Sequence, residues 1–389
     1  MNSDFHYYAT YCAAILAGYT HEESEEICYC AQLVDHCTDT FLEKVKGPAS
    51  AATTQLQSEM ADARTDIIGL QNITRIWASF HFLPRDLYAD PGKGTKRYLE
   101  KYRLICGPNG DLLKRTVNLA SGHGAPAIGI AMHVLADTWA HTYFAGTPSL
   151  VINNTDFHFF ELIPQGKEFI RRQVVFGHNP AAAEDPEKGH YTGSVYMSSE
   201  KSIMNLGHGR AGHLPDYSFI RYAYMPAWGN YREIIKDNQA DYYHAFCQMV
   251  YAMRYLRGEY PEFETNVYDE EKTAPYEKEI RRILSIRRTD DSEDWKALGE
   301  RLSGHEIRPF DLKQYHEEYR SAKKEEKERT FLGRFFNAAM AQKSMVTSKI
   351  YASGNLTAGF SVDYNPNGMI GIRDFYKMAK FYLEGEKES

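Results

Sequence analysis

Apolar residues return every three to four positions along most of the chain, and few stretches alternate residue by residue, so the pattern predicts helices joined by loops. Residues 4–17 are apolar and aromatic and stop at Gly18, a residue suited to a helix C-terminus. Thr20 with Glu23 has the spacing of a capping box and predicts a second helix running to about Lys46, before Gly47-Pro48. A third helical stretch is expected over 51–82, ending at Pro84, and two more over 125–145 and 231–257. Residues 84–110 carry Gly and Pro clusters and read as loop with a short helix inside. Residues 146–230, rich in Gly, Pro and Asn, read as an extended elaboration. The best strand candidate is Gly359-Phe360-Ser361-Val362-Asp363-Tyr364.

The pattern changes after Pro261. Dense mixed charge, including Lys323-Lys324-Glu325-Glu326-Lys327-Glu328-Arg329, reads as solvated helix face. Phe331-Leu332-Gly333-Arg334-Phe335-Phe336 adds an apolar patch that must dock, either on the rest of the chain or on another copy. The expected division is a helical unit over 1–260 and a charged, helical C-terminal extension over 261–389, separable from it.

Composition narrows the class. With 43 % hydrophobic and 25 % charged residues over 389 positions, the chain buries a large core and is neither disordered nor collagen-like. A net charge of −7 leaves no broad cationic surface for duplex DNA. No apolar run approaches a membrane span, and Asn2-Ser3-Asp4 lacks the basic start of a secretory signal. Six cysteines without a Cys-x-x-Cys pair are expected as reduced thiols in a cytoplasmic protein.

The candidate chemistry lies in the histidines, 12 of whose 15 precede residue 214. His133, Asp137 and His141 stand at successive i, i+4 positions and so line one stripe of a helix whose other faces are apolar (Ile130, Val134, Leu135, Trp139). Ionisable groups in a core need neutralising, and neutral imidazole and carboxylate oxygen are ligands of divalent cations. The alternative is a hydrogen-bonded His-Asp chain between helices. A second cluster, Gly207-His208-Gly209-Arg210-Ala211-Gly212-His213-Leu214-Pro215-Asp216, has glycines that let His208, His213 and Asp216 converge, or it is a mobile loop that happens to hold them. Arg210 between the histidines suits a phosphate oxygen. Further candidates are Asp4 and His6 at the start, Asp35 with His36, and His81 one turn beyond Trp77.

The His-x3-Asp-x3-His stripe, an earlier Asp, a His near the start and a later His/Asp group resemble the all-α zinc-dependent phospholipase C and single-strand nuclease superfamily. The resemblance implies a multi-helix bundle holding two or three divalent ions, zinc first and manganese second. His133 and Asp137 match the paired ligands, with His141, Asp35, His81, His6 and the His208/His213/Asp216 group as the rest. Those enzymes also ligate zinc through the amino group of an N-terminal Trp, which this chain lacks; either Asp4 takes its place or one of the metals is absent. Asp4-Phe5-His6-Tyr7-Tyr8 and the Gly207–His213 motif also resemble an uncharacterised bacterial family over most of residues 1–260. The activity implied is hydrolysis of a phosphodiester, in a nucleotide or single-stranded nucleic acid rather than a phospholipid, with Asp35 taking the proton from water and Arg210 anchoring phosphate. Two alternatives stay open: a nucleotide phosphohydrolase of the His-Asp type, although no adjacent His-Asp dipeptide occurs, and a metal-stabilised binding protein without turnover.

Overall fold

A computed structural model describes residues 1–63, 67–85, 87, 104–147, 150–155, 158–177, 184–193, 206–229 and 231–353. The chain is mainly helical. Its helices are α1 (Thr10–Leu16), α2 (His21–Leu33), α3 (Asp39–Val45), α4 (Gln57–Ala63), α5 (Ile67–Phe80), α6 (Asp111–Ala120), α7 (Gly124–Ala140), α8 (Leu150–Asn153) and α9 (Asn238–Leu256). They are followed by α10 (Glu270–Thr273), α11 (Glu277–Ser285), α12 (Ser292–Ser303), α13 (His316–Ser321) and α14 (Phe331–Ala352). Among the described residues no helix is long and apolar enough to cross a membrane.

Helix α7 is the axis of the bundle, buried from Pro126 to Ala140 and packed against α2, α5, α6, α9 and α14. Its approach to α2 depends on Gly129: a Cβ there would lie 2.4 Å from the Ile27 carbonyl oxygen and 2.6 Å from Cys30 Cβ. The last turn of α7 is held by the buried Lys236 ammonium, which donates to the Trp139 carbonyl at 2.7 Å and pairs with Asp241.

Local signals govern several boundaries. Thr20 and Glu23 form the expected reciprocal cap on α2, and the chain leaves α1 through Gly18 at φ +89°. Residues 4–9 wind as a π-helix rather than an α-helix. The stretch expected as one helix to Lys46 is broken after Leu33. Thr38 caps a new start by accepting from the Phe41 N–H, and the Cys37 carbonyl between the two helices accepts from Thr53 N–H at 2.9 Å. The expected helix over 51–82 likewise begins only at Gln57, because Thr53 turns its N–H and hydroxyl to the α2–α3 junction.

Within 146–230 the elaboration contains strands, and the helix expected from 231 begins only at Asn238, after a further strand. An antiparallel sheet of order β2-β1-β5-β6 is built from β1 (Phe160–Gln165), β2 (Glu168–Gln173), β5 (Arg221–Tyr224) and β6 (Ile234–Asp237). β3 (Val175–Gly177) and β4 (His190–Thr192) pair in parallel. The strand candidate at 359–364 lies outside the described residues.

The packing does not break at Pro261. Phe5, Tyr11 and Cys12 share one hydrophobic core with Phe263, Ile283, Trp295, Ile307, Phe335 and Ile350. Polar ties cross the same boundary: the Tyr7 hydroxyl donates to the Arg308 carbonyl at 2.9 Å, the Tyr29 hydroxyl to the Asp311 carbonyl at 2.8 Å, and Arg308 pairs with the buried Glu25. The Phe331–Phe336 patch docks inside this core, with Phe331 stacked on Tyr315 at 3.7 Å between centroids.

Candidate metal centre

The i, i+4 stripe on α7 is buried and faces inward. Asp137 is 1 % exposed, and His133 and His141 lie one turn on either side of it. Helix α2 and the turn after it present Asp35; the chain after α5 presents His81; the π-helix presents His6; and the loop after residue 206 presents His208 and Asp216. Gly207 allows that last approach, at φ +54° with the Phe82 ring where a Cβ would be.

Three groups result, each with ligand-type atoms within 4.8 Å of one another: His6, His133 and Asp137; Asp35, His81 and His133; His141, His208 and Asp216. Asp137 joins the first two, its Oδ1 lying 3.1 Å from His6 Nε2 and its Oδ2 3.2 Å from His133 Nε2 and 3.3 Å from His81 Nδ1. Asp216 Oδ1 is 3.1 Å from His141 Nε2.

Backbone carbonyls fix which ring nitrogen carries hydrogen. His133 Nδ1 faces the Ala31 carbonyl at 2.9 Å, His141 Nδ1 the His81 carbonyl at 2.7 Å, and His208 Nδ1 the Gly212 carbonyl at 2.7 Å. His81 is reversed: Nε2 meets the Thr53 carbonyl at 3.1 Å. A nitrogen facing a carbonyl must donate, so the other nitrogen of each ring is left turned to the interior. His81 Nδ1 and His133 Nε2 therefore confront each other at 3.3 Å, with Asp137 Oδ2 beside both. Acceptors at that spacing repel unless a metal ion or a proton lies among them. The spacing itself is informative: the edge of a tetrahedron with Zn–N arms of 2.0–2.1 Å is about 3.3 Å.

The charge balance points the same way. Burial holds the His6 imidazole down at about 4, and the His208 imidazole likewise at about 4, so both are neutral at pH 7. His6 Nδ1 has no hydrogen-bond partner among the described residues, and Nε2 faces only Asp137 Oδ1. Burial disfavours the Asp35, Asp137 and Asp216 anions, but the positive charge that the facing imidazoles carry when protonated and, for Asp137 and Asp216, the charge of the Met1 amine outweigh it, so all three carboxyls stay below the usual range. Against these three anions stands the α-amine of Met1, 2.8 Å from Asp137 Oδ1 and 3.3 Å from Asp216 Oδ1. Burial works against its charge, yet the three carboxylates raise it to about 11.

The sequence-derived candidates divide. His6, Asp35, His81, His133, Asp137, His141, His208 and Asp216 converge. His213, half-exposed, stands outside the three groups and holds Asp216 Oδ2 through Nδ1 at 3.1 Å. His36 lies away from the centre, against Gln32 and stacked on Phe310. Asp4 turns its carboxylate to the N–H groups of Phe5 and Asp291, so it does not replace an amine ligand; the Met1 amine occupies that region instead, a group that side-chain motifs cannot reveal. Arg210 sits in the single turn Gly209–Ala211 between His208 and His213. Asp35 is the most exposed of the three carboxylates, at 29 %, and marks an open edge of the cluster.

Neither a curated protein nor a solved structure matches the chain. A family model does match, over residues 1–350, reaching past the charged segments into the last turn of α14 and so covering every group described above; the chain belongs to this family of unknown function, DUF6765.

Proposed function

We propose that the protein is a metal-dependent phosphoesterase that hydrolyses a phosphodiester, with two or three divalent ions held by the His/Asp groups. The observation that carries the reading is the inward-facing set of ring nitrogens: His81 Nδ1 and His133 Nε2 meet at 3.3 Å against Asp137, while the other nitrogen of each ring is bonded to a backbone carbonyl. When bound, such ions supply Lewis acidity and activation of water near neutral pH. His133, His141 and His208 are held in orientation by backbone carbonyls, the outer support that ligating imidazoles need. Asp137 and Asp216 hold the ions in place, and Asp35 at the open edge is positioned to take a proton from the attacking water. Arg210 next to His208 would steady a phosphoryl oxygen. Zinc suits the nitrogen-rich donor set best, with manganese as the alternative. A nucleotide or single-stranded nucleic acid is the preferred substrate class.

The experiment is metal analysis of the purified protein followed by a hydrolysis screen with zinc or manganese. Two or three equivalents of metal and chelator-sensitive cleavage of a phosphodiester such as bis(p-nitrophenyl) phosphate are expected. Metal-loaded protein that cleaves no nucleotide, single strand or phospholipid would leave a metal-stabilised binding protein as the reading.

A further inference from the structure

A second cavity, of about 800 Å³, opens between the Ala49–Ala51 turn, α5 and α14, and none of its lining residues belongs to the metal centre. Its size is that of a small-molecule pocket, and its lining mixes polar side chains with Ala49, Ile76 and Met340. Two cations face it, Lys343 and Arg75, with the hydroxyl of Thr347 one turn from Lys343. Three polar atoms buried in its wall have no hydrogen-bond partner among the described residues, Arg75 Nε, Thr347 Oγ1 and Gln55 Oε1, while the terminal nitrogens of Arg75 donate to Asn72, Gln71 and Tyr351. Gln55 is 9 % exposed. Buried polar groups are rarely left unmatched without a ligand or water to match them. Lys343 gives one hydrogen bond, to the Ala52 carbonyl at 3.0 Å, which leaves two ammonium hydrogens for the cavity. Two acids share the wall: Glu59 stays ionised while accepting from Thr40 and Leu56, and Asp39 is exposed, so solvent screens its charge.

We propose that this cavity binds a small hydroxylated phosphomonoester, its dianion on Lys343, Arg75 and Thr347 and one of its hydroxyls donating to Gln55. Two cations match a phosphate dianion better than a carboxylate, and the lone acceptor on Gln55 calls for a donor on the same ligand. The pocket adjoins the candidate metal centre: Ala52 and Thr53 present consecutive carbonyls, the first to Lys343 and the second to His81 Nε2.

The inference does not need the phosphoesterase reading, because it is tested by binding. Calorimetric titration of the full, metal-loaded chain with ribose 5-phosphate and glycerol 3-phosphate should show saturable binding, at least tenfold tighter than with ribose, inorganic phosphate or glycerate. Lys343→Met should weaken it tenfold or more with metal content unchanged. Thr347→Val, which removes a hydroxyl that bonds nothing among the described residues, should weaken it severalfold and keeps the test alive if the first variant fails to fold. Absence of binding, or binding indifferent to both changes (as for a phosphate seated on the metals), overturns the proposal. Glycerate binding as tightly as the phosphates would overturn the assigned ligand class.

Discussion

Replacing Asp137 with Asn is the sharpest perturbation of the centre, because it keeps the shape and removes one charge. Asp137 is 1 % exposed; its Oδ1 serves the Met1 amine at 2.8 Å and His6 at 3.1 Å, and its Oδ2 serves His133 at 3.2 Å and His81 at 3.3 Å. Breaking a buried pair by removing one partner costs roughly 3–5 kcal/mol. Ions bound at a thousand times their dissociation constant add about 4 kcal/mol to the folded state, and this contribution falls with the bridging carboxylate. Asp137→Asn should therefore lose most of its metal and be destabilised by several kcal/mol. Chelator should destabilise the parent protein strongly and the variant little, since both remove the same interaction. Denaturant unfolding with and without chelator, alongside metal content, measures all four corners of this cycle. A variant that keeps its full metal complement, or whose midpoint falls as far as the parent's on chelation, would refute the bridging role.

Two further outcomes are expected. Asp291 is pushed up to about 7 by burial and then by the adjacent Asp4 carboxyl, so its ionisation opposes folding more strongly as pH rises from about 4 to 7; Asp291→Asn should be more stable than the parent by roughly 1–3 kcal/mol above pH 7 and equal to it near pH 4, read from denaturant midpoints across pH. Ending the chain after Pro261 removes Trp295, Ile307 and Phe335 from the shared core, so the shortened chain should show no cooperative unfolding in calorimetry, whereas a sharp transition with metal retained would show 1–260 to be autonomous.

The stripe on α7 was legible because helical spacing alone puts His133, Asp137 and His141 on one face. The remaining groups were legible as residue types but not as neighbours: nothing local tells His81, which meets Asp137, from His36, which stacks on Phe310. His213 and Asp4 look like ligands in the sequence, yet each is taken up by a nearer partner, Asp216 and the Asp291 N–H. The sheet was missed because β2 is exposed along nearly its whole length and shows no apolar alternation, and because its register comes from pairing with β1. The division at 261 followed the surface charge, which says nothing about the inner faces of α11, α12 and α14; Arg308 looks like solvated charge and in fact covers a buried Glu25.

The ties between the first turns of the chain and its last third bear on the order of folding. Asp4 holds the N–H of Asp291, 287 residues away, and Cys12 meets the Trp295 carbonyl across 283. The segment that carries His6 thus cannot be locked until almost the whole chain has been synthesised. Contacts this distant in sequence form late, since the loop must close before they stabilise anything. His133, Asp137 and His141 can gather on α7 long before that, so capture of a cation by the helix would come first, and completion of its coordination would be the closing event of folding.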